Sequence, residues 1–313
     1  MVRAYVVAAA LAALVAAVYT ASQRLVYHPP LPPVGCVLIT GASSGIGKSA
    51  ALSLAASHPG WTILAGVRRE ADGAALLAGG APANLVPLIV DVADDASRAA
   101  AAAAIAARPE PLIALVNNAG VSRGVPVELH ALGDARQVFD VNVFGALGMT
   151  QLLLPQLKAA RGRIVMVSSV AGRVAMPLGG VYAASKFALE ALSDALRREL
   201  GGSVSVTVLE PAYVKSAIFD ASATASSAAG ADDAARQAYP QFYTEARAAA
   251  RAHEIATADD TRVTDTAIEA ALTDARPLTR VQVARAAGMP ASFIVWLVWA
   301  LPDRLADIIG GST

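Results

Sequence analysis

A short run of β-favouring residues, Val34–Thr40, opens into Gly41-Ala-Ser-Ser-Gly45-Ile-Gly47, and the chain then reads as helix from Lys48 to Ser57. No other feature constrains the fold as tightly. Glycines permit a tight turn and let backbone approach a ligand closely. A helix starting near Ile46 offers unpaired N–H groups and a positive dipole end, both suited to phosphate. The spacing is G-x-x-x-G-x-G, not the commoner G-x-G-x-x-G. A glycine turn alone is a weak signal, because many are only turns. Its place between a strand and a helix gives it weight.

The same alternation continues. Thr62–Val67, Leu85–Val90, Ile113–Asn117, Ile164–Ser168, Ser205–Leu209 and Leu278–Val283 read as strands. Helical stretches lie between them, Ser97–Ala107 and Val181–Leu200 the clearest, the latter stopped by Gly201-Gly202. Strands alternating with helices imply an α/β, doubly wound Rossmann fold: a parallel sheet of about seven strands, covered on both faces. Residues 34–313 suffice for one such domain. With 55% hydrophobic and 16% charged residues the chain is not a disordered one. Lys plus Arg and Asp plus Glu number 25 each, so no net charge favours nucleic acid. The lone cysteine, Cys36, forms no intramolecular disulfide and is expected buried in a strand. The four histidines show no metal-ligand spacing, and no metal is expected.

Ala4 to Gln23 carries no charge and is long enough to cross a bilayer as a helix. Arg3 and Arg24 bracket it, with Tyr5, Tyr19 and Tyr27 where interfacial aromatics belong. Residues 1–27 are therefore expected to form a transmembrane anchor, and the Pro-rich residues 28–33 a stiff spacer. A cleaved signal peptide and an alanine-rich surface helix are the alternatives. One arginine on each side leaves the orientation open.

Past the second strand, an acid about 20 residues beyond the glycines would bind the ribose of NAD. Arg68-Arg69 stand there instead. Arginine pairs with a 2′-phosphate, so NADP(H) is the expected cofactor. The plainer alternative is a solvated turn in which Glu70 neutralises one arginine. Gly41, Ser43, Ser44, Gly45, Ile46 and Gly47 are the expected pyrophosphate contacts, with Asp91 and Val92 at the adenine. Asn117-Asn118-Ala119-Gly120 ends the fourth strand with small residues that leave room for a cofactor. Tyr182 and Lys186, four apart on one helix, share a face. A nearby ammonium lowers a phenol's pKa and fits it to exchange a proton with a carbonyl or alcohol oxygen. Ser169, ending the preceding strand, is placed to hydrogen-bond that oxygen.

Taken together these residues resemble the short-chain dehydrogenase/reductase family. Thr40-Gly-Ala-Ser-Ser-Gly-Ile-Gly47, Asn117-Asn-Ala-Gly120, Ser169 and Tyr182-Ala-Ala-Ser-Lys186 stand in the family's order, and the resemblance spans about Val34 to Val283. It implies that Tyr182 is the acid/base, that Lys186 lowers its pKa and binds ribose, and that Ser169 orients substrate. It implies further that Asn142 supports a water-linked proton relay. Pro211, Val214 and Ser216 are the expected nicotinamide contacts. Where the family usually has Pro-Gly, this chain has Pro211-Ala212, whose Cβ the backbone must accommodate. The anchor, Arg68-Arg69 and Glu210-Pro-Ala-Tyr-Val-Lys-Ser216 look like the hydroxysteroid and retinol dehydrogenase branches. That resemblance implies a lipophilic alcohol or ketone substrate, the endoplasmic reticulum or a similar membrane, and a homodimer.

Two stretches keep alternatives open. Residues 213–260 are either a substrate loop over the site or a neutral surface insertion. Phe293–Leu301 is too short to span a bilayer and either lines the substrate entrance, dips into a membrane interface, packs in the core or forms an oligomer contact. Two further functions compete: a reductase of fatty-acyl or sphingoid ketones, and a non-catalytic NADP-binding scaffold. Tyr182, Lys186, Ser169 and Asn142 together argue against the scaffold.

Overall fold

The structure is a computed structural model that describes residues 18, 21–22, 24–216, 231–286, 288–302 and 305. Most of the expected anchor, and residues 217–230 of the expected substrate loop, lie outside the described residues.

Seven parallel strands form one sheet: β1 Gly35–Ile39, β2 Trp61–Val67, β3 Leu85–Ile89, β4 Leu112–Asn117, β5 Arg163–Val167, β6 Ser205–Pro211 and β7 Arg280–Val283. Their spatial order is β3-β2-β1-β4-β5-β6-β7. The sequence reverses direction between β1 and β4, the point where such sheets open a crevice at their carboxyl ends. Flanking helices are α1 Gly45–Ser57, α2 Glu70–Leu77, α3 Asp95–Ala106, α4 Leu132–Phe139, α5 Ala146–Ala159, α6 Gly180–Leu200 and α9 Arg262–Thr273. Between β6 and α9 lie α7 Ala231–Ala238 and α8 Glu245–Ala256. After β7 a two-stranded hairpin, β8 Arg285–Ala286 and β9 Met289–Pro290, leads into α10 Ala291–Ala300.

The period of two along each strand divides the core into two layers. Val37, Ile39, Ile63, Ala65, Val165 and Val167 pack toward α1 and α9. Cys36, Leu38, Leu64, Leu115, Ile164 and Met166 pack on the other side, with Met149, Leu153 and Leu157 of α5. Strands buried on both faces read as continuous apolar runs, which is why β1 and β4 carried no alternation in the sequence. Cys36 is fully buried in β1, as expected, and burial pushes its thiol pKa up.

Residues 28–33 do not stand clear of this body. The His28 amide donates to the Ala275 carbonyl, Arg163 Nη2 to the Pro29 carbonyl and Trp61 Nε1 to the Pro32 carbonyl. The stiff spacer is thus a segment docked across the amino ends of the strands. The one described helical stretch long and apolar enough to cross a membrane, Leu132–Ala159, belongs to the Rossmann body.

Candidate active site

The carboxyl ends of the strands open a cleft of about 490 Å³, lined at one end by the glycine turn and at the other by Ser169, Tyr182 and Lys186. Gly41 has φ +67°, and a Cβ there would sit 2.8 Å from Ala119 Cα. At Gly47 a Cβ would lie 2.4 Å from Asn118 Nδ2 and 2.5 Å from the Gly41 carbonyl. Only glycine lets turn and strand end meet so closely. Thr40 joins them: its hydroxyl accepts the amides of Asn118 (3.0 Å) and Ala119 (3.1 Å). Asn118 Nδ2 donates back to the Thr40 carbonyl at 2.8 Å. The first turn of α1 holds no acidic residue, and Ser44 before it is extended, so the helix start is free to receive an anion.

Farther along, Asp91 and Val92 line the cleft. Asp91 caps its own turn, accepting the Ala93 amide at 3.0 Å. The two arginines part company. Arg68 is exposed and lines the cleft. Arg69 is outside the cleft lining and pairs with Asp72 through two hydrogen bonds of 2.9 and 2.7 Å. Glu70, the neutraliser named in the plainer alternative, is not its partner. A residue three along on a forming helix reaches back more easily than the next one.

On α6, Tyr182 is half-buried and Lys186 fully so. Lys186 Nζ donates to the Val167 carbonyl at 2.8 Å and sits 5.7 Å from the Tyr182 ring centroid. Burial pushes the ammonium down to about 8, opposed by the Glu190 carboxylate. Burial also raises the Tyr182 phenol, and its hydrogen bond with Ser169 pulls the other way. The sequence expectation was a phenol lowered by Lys186. Here desolvation is the larger effect, and the ammonium donates to a backbone carbonyl.

Asn142 lies in a π-helical stretch, Asp140–Gly145, inserted between α4 and α5. Such widened turns re-aim a side chain. Asn142 Oδ1 accepts the Val121 amide (2.8 Å), and its Nδ2 donates to the Val121 carbonyl (2.9 Å) and to Ser185 Oγ (3.0 Å). Ser185 in turn donates to the Tyr182 carbonyl at 2.7 Å. Asn142 is outside the cleft lining. Gly120 separates it from Lys186, a Cβ there meeting Asn142 Oδ1 at 3.4 Å and Lys186 Nζ at 3.7 Å.

A match to the family described as short chain dehydrogenase covers residues 35–227. The chain belongs to the short-chain dehydrogenase family. Human (Homo sapiens) retinol dehydrogenase 16 is 44% identical over 186 residues, 58% of this chain and 57% of that protein. The chain therefore spans little more than half the length of that relative. Mouse (Mus musculus) 17-beta-hydroxysteroid dehydrogenase type 6 is 33% identical over 282 residues, 87% of this chain and 86% of that protein. Among solved structures, a short chain dehydrogenase from Burkholderia cenocepacia J2315 in complex with NADP has a TM-score of 0.63 and 26% identity, covering 88% of this chain and 97% of its own. A short chain dehydrogenase/reductase from Burkholderia phymatum in complex with NAD has a TM-score of 0.61 and 27% identity, covering 77% and 87%. A nicotinamide dinucleotide is the cofactor common to these structures.

Within this short-chain dehydrogenase the Pro-Ala departure is absorbed without strain. Ala212 is not among the residues with positive φ, and its amide donates to the Val283 carbonyl at 2.9 Å. Pro211, Ala212, Val214 and Ser216 all line the cleft. Sequence reasoning missed several lining residues, Val121, Ser122, Arg123, Gln137 and Val141 among them. Val121, Ser122 and Arg123 follow β4 in an irregular segment with no periodic signal, whereas Gln137 is on α4 and Val141 in the π-helical stretch. The joining role of Thr40 was also missed, although its place before the glycines was the available cue.

Proposed function

We infer that this short-chain dehydrogenase is an NADP(H)-dependent oxidoreductase acting between a lipophilic alcohol and its ketone or aldehyde, retinoid- or steroid-like. One observation carries the reading. The Tyr182 phenol, bonded to Ser169 and overlain by Lys186, lies in the same cleft as an acid-free helix start and an exposed Arg68.

The residues fit a dinucleotide. The amides at the start of α1, with Ser43, Ser44 and Gly45, would hold the pyrophosphate, and Arg68 the 2′-phosphate. The bound nicotinamide supplies or accepts the hydride. Tyr182 delivers a proton to the substrate oxygen in reduction and removes it in oxidation. Ser169 holds that oxygen beside the phenol. Lys186 keeps a positive charge at the phenol, and Asn142 fixes the backbone around Val121 and Tyr182. Substrate class rests on the relatives named for retinol and 17-beta-hydroxysteroid. The exposed Trp296 and Trp299 of α10 support it, because Trp299 Nε1 donates to the Arg173 carbonyl, four residues past Ser169. Attachment to a membrane such as the endoplasmic reticulum through residues 1–27, and a homodimer, belong to the same reading.

The test is oxidation of NADPH and of NADH by the purified protein against retinal, a ketosteroid and a long-chain ketone. NADPH-dependent turnover of retinal or the ketosteroid is expected. Turnover of the long-chain ketone alone would point to acyl chemistry. Tight NADPH binding with no turnover would point to a scaffold.

A further inference from the structure

Behind the catalytic face of α6 lies a buried charge network. Glu190 is one helical turn beyond Lys186 and is 5% exposed. Its Oε2 accepts from Arg280 Nε at 3.1 Å and Nη2 at 2.7 Å. Arg280, on β7, also lies 2.6 Å from Glu210 Oε1 on β6 and 3.4 Å from Asp194 on α6. Arg173 approaches Glu210 at 3.9 Å, and Gln282 Nε2 donates to its other oxygen at 2.7 Å. Elements far apart in sequence thus converge on one carboxylate.

Glu190 Oε1 lies toward Gly172. It is buried without a hydrogen-bond partner, as is Ser168 Oγ. Both flank Gly172, where a Cβ would meet Ser168 Oγ at 2.7 Å and Glu190 Oε1 at 3.2 Å. Ser168 stands between Val167, whose carbonyl takes the Lys186 ammonium, and Ser169. Glycine at 172 lets the Glu190 carboxylate come up against the strand end that holds the catalytic pair.

We propose that Glu190, clamped by Arg280, is a positioning residue that keeps a negative charge behind Lys186 and so keeps its ammonium charged at the cofactor ribose. The proposal rests on the proposed function and on the ribose-binding role that the family resemblance implies for Lys186. A buried carboxylate near an ammonium is weakly screened and favours the charged form. Arg280 in turn pairs with Glu190 and with Glu210. Burial pushes Glu210 up to about 7, and the charge of Glu190 adds to that. The groups facing Lys186 are Tyr182 and Glu190 from its own helix and the Val167 carbonyl from β5. Those facing Glu190 are Arg280, Glu210, Asp194 and, through Glu210, Arg173.

The experiment follows NADPH affinity by fluorescence from pH 6.5 to 10, a scale chosen around the Lys186 value of about 8. Lys186 loses its proton as pH rises, so wild-type binding should weaken on the alkaline side. In Glu190→Gln that weakening should begin about one pH unit lower, and Glu190→Asp should restore it. Arg280 in Glu190→Gln still has Glu210 and Asp194, so the guanidinium stays paired and the fold is expected to hold. If Glu190→Gln does not fold, Glu190→Asp, which keeps the charge, must show the wild-type alkaline limb. An alkaline limb unchanged in folded Glu190→Gln, or equal weakening at every pH, overturns the proposal. Lys186→Met is measured in parallel and should remove the limb. If the limb persists there, the reading of Lys186 fails instead.

Discussion

Tyr182 and Lys186 are desolvated together, and desolvation acts on them in opposite directions. A phenol loses stability as its anion and a lysine as its cation, so one pKa rises and the other falls to about 8. At neutral pH the phenol keeps its proton and the lysine keeps its charge, the states the proposed acid/base role needs. Tyr182→Phe removes only the hydroxyl. It should lower kcat by roughly 10² to 10⁴ while NADPH binding changes little, measured by steady-state kinetics and fluorescence titration. Retained turnover would refute the acid/base role. At the other end of the cleft the two arginines should separate. Arg68→Ala should weaken NADPH by roughly tenfold or more and NADH hardly at all, because only the 2′-phosphate contact is lost. Arg69→Ala should affect the two cofactors alike, since Arg69 is engaged by Asp72. Equal losses of NADPH and NADH in Arg68→Ala would remove the case for NADP.

At the scale of elements, the cofactor end of the site depends on how closely β1, β4 and α1 meet. Thr40 and Asn118 tie the two strand ends across 78 residues of sequence. The approach tolerates no side chain at Gly47, where a Cβ would run into backbone at Gly41 as well as Asn118. Gly47→Ala should therefore open the turn and weaken NADPH by roughly tenfold or more, with a lower Tm. Both are read from one thermal-shift titration. Unchanged NADPH affinity in that variant would show that the turn is not the pyrophosphate cradle. The π-helical insertion performs a parallel service at the catalytic end. It turns Asn142 inward to Val121 and Ser185, so that α6 and the loop after β4 are held by one amide side chain.

The whole molecule places its two apolar features at different ends. Residues 28–33 dock at the amino ends of the strands, through His28, Pro29 and Pro32. Helix α10, with Trp296 and Trp299 exposed, reaches Arg173 beside the carboxyl ends. Before His28 the contact with the body is slight, Arg24 lying 3.9 Å from Asp274 and Val26 beside Gly202, so removing residues 1–27 should leave the body intact. The shortened protein should leave the membrane fraction on sedimentation and keep its NADPH affinity. Continued sedimentation with membranes would assign attachment to another surface, with α10 the first to examine.

By itself the sequence determined the alternation of strand and helix, the order of the motifs and the chemistry each could carry. These are local properties: glycine spacing, a run of β-favouring residues, and a tyrosine and lysine one turn apart. Tertiary structure alone decided which charges meet. It gave Arg69 to Asp72 and left Arg68 to the cleft. It set Arg280 between Glu190 and Glu210, partners 90 residues away in one case. It raised Tyr182 where the local pair argued for lowering. It laid the proline segment against Arg163 and Trp61 instead of leaving it free. The reason is physical. Desolvation and ion pairing depend on what surrounds a side chain in space, and no periodicity along the chain records that.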